Sequence, residues 1–388
     1  MIQRAPGRGR RPGTAEQTGD RREPALTGLR AIAALLVVGT HAAFATGFLG
    51  HGYLGQMGAR LEIGVPIFFV LSGYLLFRPW VSAAADDSPT PDLGRYARHR
   101  ARRVLPGYLV TVLATFAIYT VFTIGDSPGQ SWAGLLRYLT LTQIYTDNFV
   151  LTYLHPGLSQ MWSLAVEVSF YAALPLLAHL LLTVLCRGRW QPELLLAGLF
   201  GLAMISPLWL IVVHTTDLLP SAAGMWLPAH LSWFAGGMAL AVLRQLGTRC
   251  RASIAIPVAI GLFLLVSTEI AGHIIGPDTW WQPLAKSLLY GIIATLAVAP
   301  LALGDHGAYS RVLGSRPLVW LGEISYEIFL LHVVILAVLM GGVLRWPLFT
   351  GSTVGLYLAT LAVTVPLALL LRRLTHRPPA PQTCTNGA

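Results

Sequence analysis

Ten apolar runs divide this 388-residue chain, at 29–48, 63–81, 104–124, 161–186, 194–213, 226–243, 254–272, 283–303, 317–341 and 349–371, separated by Arg, Pro, Asp or His. A helix crossing a bilayer needs about 17–25 mainly apolar residues, and backbone groups left unpaired in lipid are costly. The pattern therefore predicts an all-α integral membrane protein of about ten transmembrane helices. Charged residues make up 11% of the chain, against about a quarter in a soluble domain. That is too few to clothe a water-facing surface of this size, so a large soluble enzyme is excluded. The three cysteines, Cys186, Cys250 and Cys384, cannot build a disulfide framework.

The formal charge of +10 rests on arginine, since Lys286 is the sole lysine among 27 basic residues. With the N-terminus inside, 22 of these 27 fall in inward loops and tails. The outward loops hold only Arg60, Arg137, Lys286 and Arg345, and Arg30 lies within the first span. This asymmetry places both termini in the cytoplasm and explains the basic balance by topology, with no nucleic acid as partner. The three thiols then sit on the reducing side. Residues 1–24, rich in Gly, Pro and Arg, are expected to form a disordered basic cytoplasmic tail, and 374–388 a short disordered one. Between them, 25–373 reads as one transmembrane domain. The outward connection from Gly125 to Gln160 mixes aromatic and polar residues, which suits a short interfacial helix and a loop able to contact substrate. No internal repeat is visible, which weakens the case for an inverted-repeat transporter.

An ionisable residue inside a bilayer costs at least ~2.5–3.5 kcal/mol at a helix centre, so each needs a reason. Arg30 and His41 are eleven residues apart, three helical turns, and so point from one face about 16 Å apart along the axis. That spacing matches the reach of an extended pantetheine arm. Glu167 lies about 9 Å into a helix entered from outside, at a depth comparable to that of His41. Ser163, Glu167 and Tyr171 recur every four residues and form one polar stripe, which in lipid must face the bundle interior. In the ninth span Ser325 and His332 share a face, with Tyr326 beside them. Arg95, Arg98, Arg100, Arg102 and Arg103 gather at the inner mouth of the third span, and the planar guanidinium suits phosphate. Each feature has a plainer alternative: a snorkelling arginine, a packed histidine, an interhelical hydrogen bond, or the ordinary basicity of inward loops. For His179, Glu269 and Glu327, near helix ends or on another face, the plainer reading dominates. No phosphate-cradling loop, dinucleotide fingerprint, H-E-x-x-H or paired-cysteine motif occurs, so neither a nucleotide-driven pump nor a metal site is expected.

Five segments, in order, resemble the membrane-bound acyltransferase family 3: "LTGLRAIAALLVVGTH", "GVPIFFVLSGYLL", the basic run before Pro106, "MWSLAVEVSFY" and "GEISYEIFLLH". The resemblance spans roughly Glu23 to Arg373. It implies about ten transmembrane helices in a bacterial cytoplasmic membrane. It also implies transfer of an acyl group, most often acetyl, from acyl-coenzyme A to hydroxyls of envelope glycans, glycolipids or secondary metabolites such as macrolides. Acyl-coenzyme A is then a co-substrate, with no permanently bound cofactor. By position, Arg30 and His41 correspond to the family's essential arginine and histidine, and Glu167 to the glutamate of its Trp-Ser-Leu motif (Trp162, Ser163). Arg100 and Arg103 match its cytoplasmic arginine pair. The chain departs from the family at Pro66, where many members carry an acidic residue; the nearest carboxylate is Glu62, one turn outward. Longer members carry a fused extracytoplasmic esterase-like domain, so here acceptor binding is expected to fall to the membrane domain or a separate partner.

The leading expectation is direct transfer, with donor phosphates on Arg30, Arg100 and Arg103, His41 as general base, and Glu167 orienting the imidazole or the acceptor. Two alternatives stay open. One is a double displacement with the acyl group carried by His41 or Ser72, and the other is a transporter or flippase built on the same polar stripes.

Overall fold

In the computed structural model the described residues are 23–122, 127–272 and 279–375. The two expected tails therefore lie almost wholly outside them, as does Cys384. From the N-terminus come α1 (Pro24–Ala45), α2 (Gly52–Arg60), α3 (Gly64–Ala85) and α4 (Leu93–Val121). A short α5 (Trp132–Leu139) and a single turn, α6 (Phe149–Thr152), precede α7 (Met161–Ala178). The second half holds α8 (Pro192–Thr215), α9 (Leu227–Gln245), α10 (Ala252–Val266) and α11 (Trp281–Ala302). The short α12 (Ala308–Leu313) and α13 (Arg316–Glu323) lead into α14 (Ser325–Ala337) and α15 (Thr353–Thr375). Among the described residues nine helical stretches are long and apolar enough to cross a bilayer, and the chain is a multi-span membrane protein.

Polar contacts at the helix ends define two faces. On one, Glu23 pairs with Arg78 at 3.2 Å and Arg244 at 3.0 Å, and Arg372 with Glu323 at 3.3 Å. On the other, the Thr46 and Thr353 hydroxyls meet at 2.7 Å and Tyr53 donates to the Leu264 carbonyl at 2.8 Å. The first face carries the arginine clusters, as the loop charges require.

Two of the ten expected spans come out differently. The run at 254–272 yields only the 15-residue α10, about 22 Å long. Its end is held by Arg60, whose Nε donates to the Val266 carbonyl at 3.0 Å and whose guanidinium also reaches the Gly272 carbonyl at 2.5 Å. Expected in an outward loop, Arg60 is instead buried, at 2% exposure, because terminal helix carbonyls need donors where water is scarce. The run at 317–341 is broken at Ile324 into α13 and α14. At that break the Ser325 hydroxyl donates to the Gly322 carbonyl at 2.8 Å.

Small residues set a close crossing between α3 and α9. A Cβ on Gly73 would stand 2.1 Å from the Phe234 carbonyl oxygen, and one on Gly237 1.9 Å from that of Val70. Backbone therefore meets backbone with no room for a side chain, the packing by which membrane helices gain dispersion contacts.

The connection before α7 holds the expected short helix, α5, with Trp132 and Leu136 exposed. The remainder is packed rather than loose. His155 is fully buried, its Nε2 lies 2.8 Å from Gln130 Oε1, and its Nδ1 accepts from the Gly157 N–H at 3.2 Å. Burial pushes this imidazole down to about 4 from its ordinary 6.5. Trp226 ties the connection to the start of α9 by donating to the Ile144 carbonyl at 2.8 Å.

Candidate active site

A cavity of about 80 Å³ opens among α1, α3, α4, α7 and α14. Arg30 reaches it from α1, and Arg100 and Arg103 from the first turns of α4. None of the three makes a hydrogen bond or ion pair with another described residue, and Arg100 Nε is buried without a partner. Three cations thus face one another across a low-dielectric space with a single carboxylate, Glu167, on the same wall. Such a site carries net positive charge and unused donors, the requirement for holding a multiply charged anion such as a phosphate.

The stripe of α7 lines this cavity as a unit, with Ser163, Glu167 and Tyr171 all on its wall. Glu167 Oε1 accepts from the Ser72 hydroxyl at 2.5 Å and from the Tyr171 hydroxyl at 2.6 Å. Ser72 thereby becomes a neighbour of the carboxylate, held from α3. Ser325 and Tyr326, the first residues of α14, complete the wall, and the Tyr326 hydroxyl donates to the Val104 carbonyl at 2.9 Å.

His41 lies elsewhere, against His332, their ring centroids 4.9 Å apart and nearly perpendicular. His41 Nδ1 is 2.8 Å from the Val37 carbonyl, and His332 Nδ1 is 2.8 Å from that of Phe329. A carbonyl only accepts, so the network assigns a proton to each Nδ1. His332 Nε2 is then a lone pair facing the His41 Nδ1–H at 3.4 Å. The result is a defined tautomer for His41, with Nε2 as its basic atom and free of hydrogen bonds to described residues.

Two expectations are corrected here. Matching depth suggested that Glu167 orients His41, yet no hydrogen bond joins them among the described residues, because the α7 stripe faces Ser72 and the arginines. Nor does His41 line the cavity that Arg30 enters, although the two share a face of α1 by spacing. Phe68 and Phe329 stand on its wall, and the Phe329 ring is 5.9 Å from that of His332. The histidine pair sits one aromatic layer behind the cavity wall. For the same reason His332, though on the helix of Ser325, does not line the arginine cavity.

Glu62 and Trp162 belong to a second cavity, on the far side of Val65, which lines both. Glu62 forms an ion pair with Lys286 and accepts from the Tyr290 hydroxyl at 3.0 Å. Pro66 lies on the same wall. Lys286, expected among the outward loop charges, instead lines this cavity, together with His230, Trp233 and Tyr290, which no motif in the sequence marks. The signal for Lys286 was present: a lone lysine in an arginine-rich chain, set inside an apolar run.

Comparison with known proteins agrees with this architecture. A family model described as an acyltransferase domain matches residues 23–373. The peptidoglycan O-acetyltransferase OatA of Listeria monocytogenes is 27% identical over 335 residues, covering 80% of this chain and 48% of the relative. The O-acetyltransferase OatA of Staphylococcus aureus is 26% identical over 329 residues, covering 80% and 50%. The acyltransferase MdmB of Streptomyces mycarofaciens is 29% identical over 389 residues, covering 92% and 91%. The chain thus spans about half the length of the OatA relatives and nearly all of MdmB. No solved structure matches it. A match over almost every described helix, on a multi-span bundle with this polar interior, makes the chain a member of the membrane-bound acyltransferase family 3.

Proposed function

We propose that this protein is an O-acyltransferase of the bacterial cytoplasmic membrane, moving an acyl group, most simply acetyl, from acyl-coenzyme A to a hydroxyl of an envelope glycan, glycolipid or similar acceptor. The observation that carries this reading is the set of three guanidinium groups on one cavity, without bonded partners among the described residues, on the arginine-rich face. Coenzyme A is a polyphosphate, and these donors suit phosphate oxygens. The S. aureus and Listeria relatives, named as O-acetyltransferases, support a hydroxyl as acceptor.

In this reading Arg30, Arg100 and Arg103 hold the donor phosphates, and the thioester end reaches the histidine pair once Phe329 turns aside. His41 Nε2 takes the proton of the acceptor hydroxyl as its oxygen bonds to the thioester carbonyl carbon. The C–S bond then breaks, and the departing thiolate recovers the proton from His41. His332 fixes the tautomer that makes Nε2 the base. Glu167 serves the arginine cavity, tempering its charge and fixing Ser72 and Tyr171.

The test uses purified protein with labelled acetyl-coenzyme A and a preparation of envelope glycans. Release of free thiol should depend on acceptor, and His41→Ala should lower it by about 10²–10⁴-fold, the usual worth of a general base, with donor binding retained. Substrate movement across vesicles without donor consumption would replace this reading with a transporter.

A further inference from the structure

The second cavity, of about 200 Å³, differs from the first in chemistry. Its walls include His214 near the end of α8 and Lys286 near the start of α11, so it lies toward the arginine-poor face. The Glu62–Lys286 ion pair cancels its two charges, which removes any preference for an anion. One of its walls is aromatic: Trp162 stands 5.4 Å from His230, His230 4.6 Å from Trp233, and Trp233 6.3 Å from Tyr290, centroid to centroid. Into this wall is set a polar group with nothing to bond. His230 is 8% exposed, and neither of its ring nitrogens has a partner among the described residues. A buried donor and acceptor left unmatched are costly, and a hydroxyl can relieve one of them, donating to the bare nitrogen or accepting from the N–H. The other polar groups are engaged, the Trp233 N–H by the Ser287 carbonyl at 2.8 Å and the Tyr290 hydroxyl by Glu62. At about 30 Å³ per water, the volume suits a single sugar-sized ring.

We propose that this cavity seats one uncharged, polyhydroxylated ring of the acyl acceptor, its C–H face on the Trp162–Trp233 wall and a hydroxyl on His230. The negative faces of the aromatic rings attract C–H groups, and the absence of net charge keeps donor phosphates in the other cavity. That the ring belongs to an acceptor rests on the acyltransferase reading above; that a sugar binds here does not. Val65 lines both cavities. Phe69, on the arginine side, packs against His230 at 6.0 Å and Trp233 at 5.8 Å. One layer of side chains, Val65 and Phe69, therefore separates the sugar seat from the arginine cavity.

The experiment is saturation-transfer NMR on the full-length protein in nanodiscs, titrated with N-acetylglucosamine, with acetyl-coenzyme A binding measured separately on the same samples. Saturable binding is expected in the wild type, at least tenfold weaker in His230→Phe, and within threefold of wild type in His230→Gln, which keeps a donor and an acceptor. Acetyl-coenzyme A should bind all three alike, which also shows that each variant folds. Leu210→Trp, which fills the cavity from α8, should abolish sugar binding by an independent route. The proposal is overturned if the sugar shows no saturable binding, or if His230→Phe binds it as the wild type does, since water then satisfies the histidine. Sugar binding that depends on His230 in a protein unable to bind acetyl-coenzyme A would sink the donor reading and leave the sugar seat standing.

Discussion

Glu167 shows how a side chain's neighbours decide its role. Placed with Ser72 and Tyr171 on a wall shared with three arginines, its negative charge competes with any anion those arginines hold. Glu167→Gln should therefore tighten acetyl-coenzyme A, lowering its KM by about fivefold, roughly 1 kcal/mol. Arg100→Ala should raise it by a similar factor, and both effects should shrink as salt is added. Steady-state kinetics at two ionic strengths checks the pair. The stripe itself was legible in the sequence, because a four-residue repeat of polar side chains in lipid has one place to face. Which partner each would meet was not: Glu167 and His41 match in depth along their helices, but depth says nothing about rotation around the bundle.

Packing of elements explains what periodicity missed. The apolar pattern runs on through Ile324, where the structure breaks the span, and nothing in hydropathy marks Arg60 as the cap of α10. Both are tertiary effects, a close approach and a borrowed donor. The α3–α9 crossing is another. Gly237→Val would drive a side chain into the Val70 carbonyl and should cost roughly 1–3 kcal/mol or more, read as a lowered midpoint in thermal unfolding of the purified protein. The packed connection before α7 carries a pH dependence of predictable sign. His155 is held neutral down to about 4, while its ordinary value is 6.5. Between these values the unfolded chain binds a proton that the folded one refuses, so its stabilisation is complete above 6.5 and fades as pH falls toward 4. The span corresponds to roughly 3 kcal/mol, and the slope of melting temperature against pH in that window should flatten in His155→Gln.

Across the bundle, the count of arginines at alternate loops separates two sets of helix ends, and the ion pairs of Glu23 gather members of one set. The orientation is open to direct measurement. In intact cells a membrane-impermeant thiol reagent should label Arg345→Cys at once, and reach Cys250 only after permeabilisation. The division into an arginine cavity and an uncharged aromatic one was not legible, since it depends on Lys286 turning inward to meet Glu62 and on Val65 standing between.

The glycine-to-backbone contact of α3 with α9 also constrains how the protein moves. Two helices locked at their main chains cannot slide or part without losing that fit, and together they carry Val65, Phe69, His230 and Trp233. The partition between the chambers is therefore the fixed frame of the machine. Any breathing that admits a bulkier molecule must come from α7, α8, α11 or α14, and natural variation in what the protein accepts should be sought along those four helices.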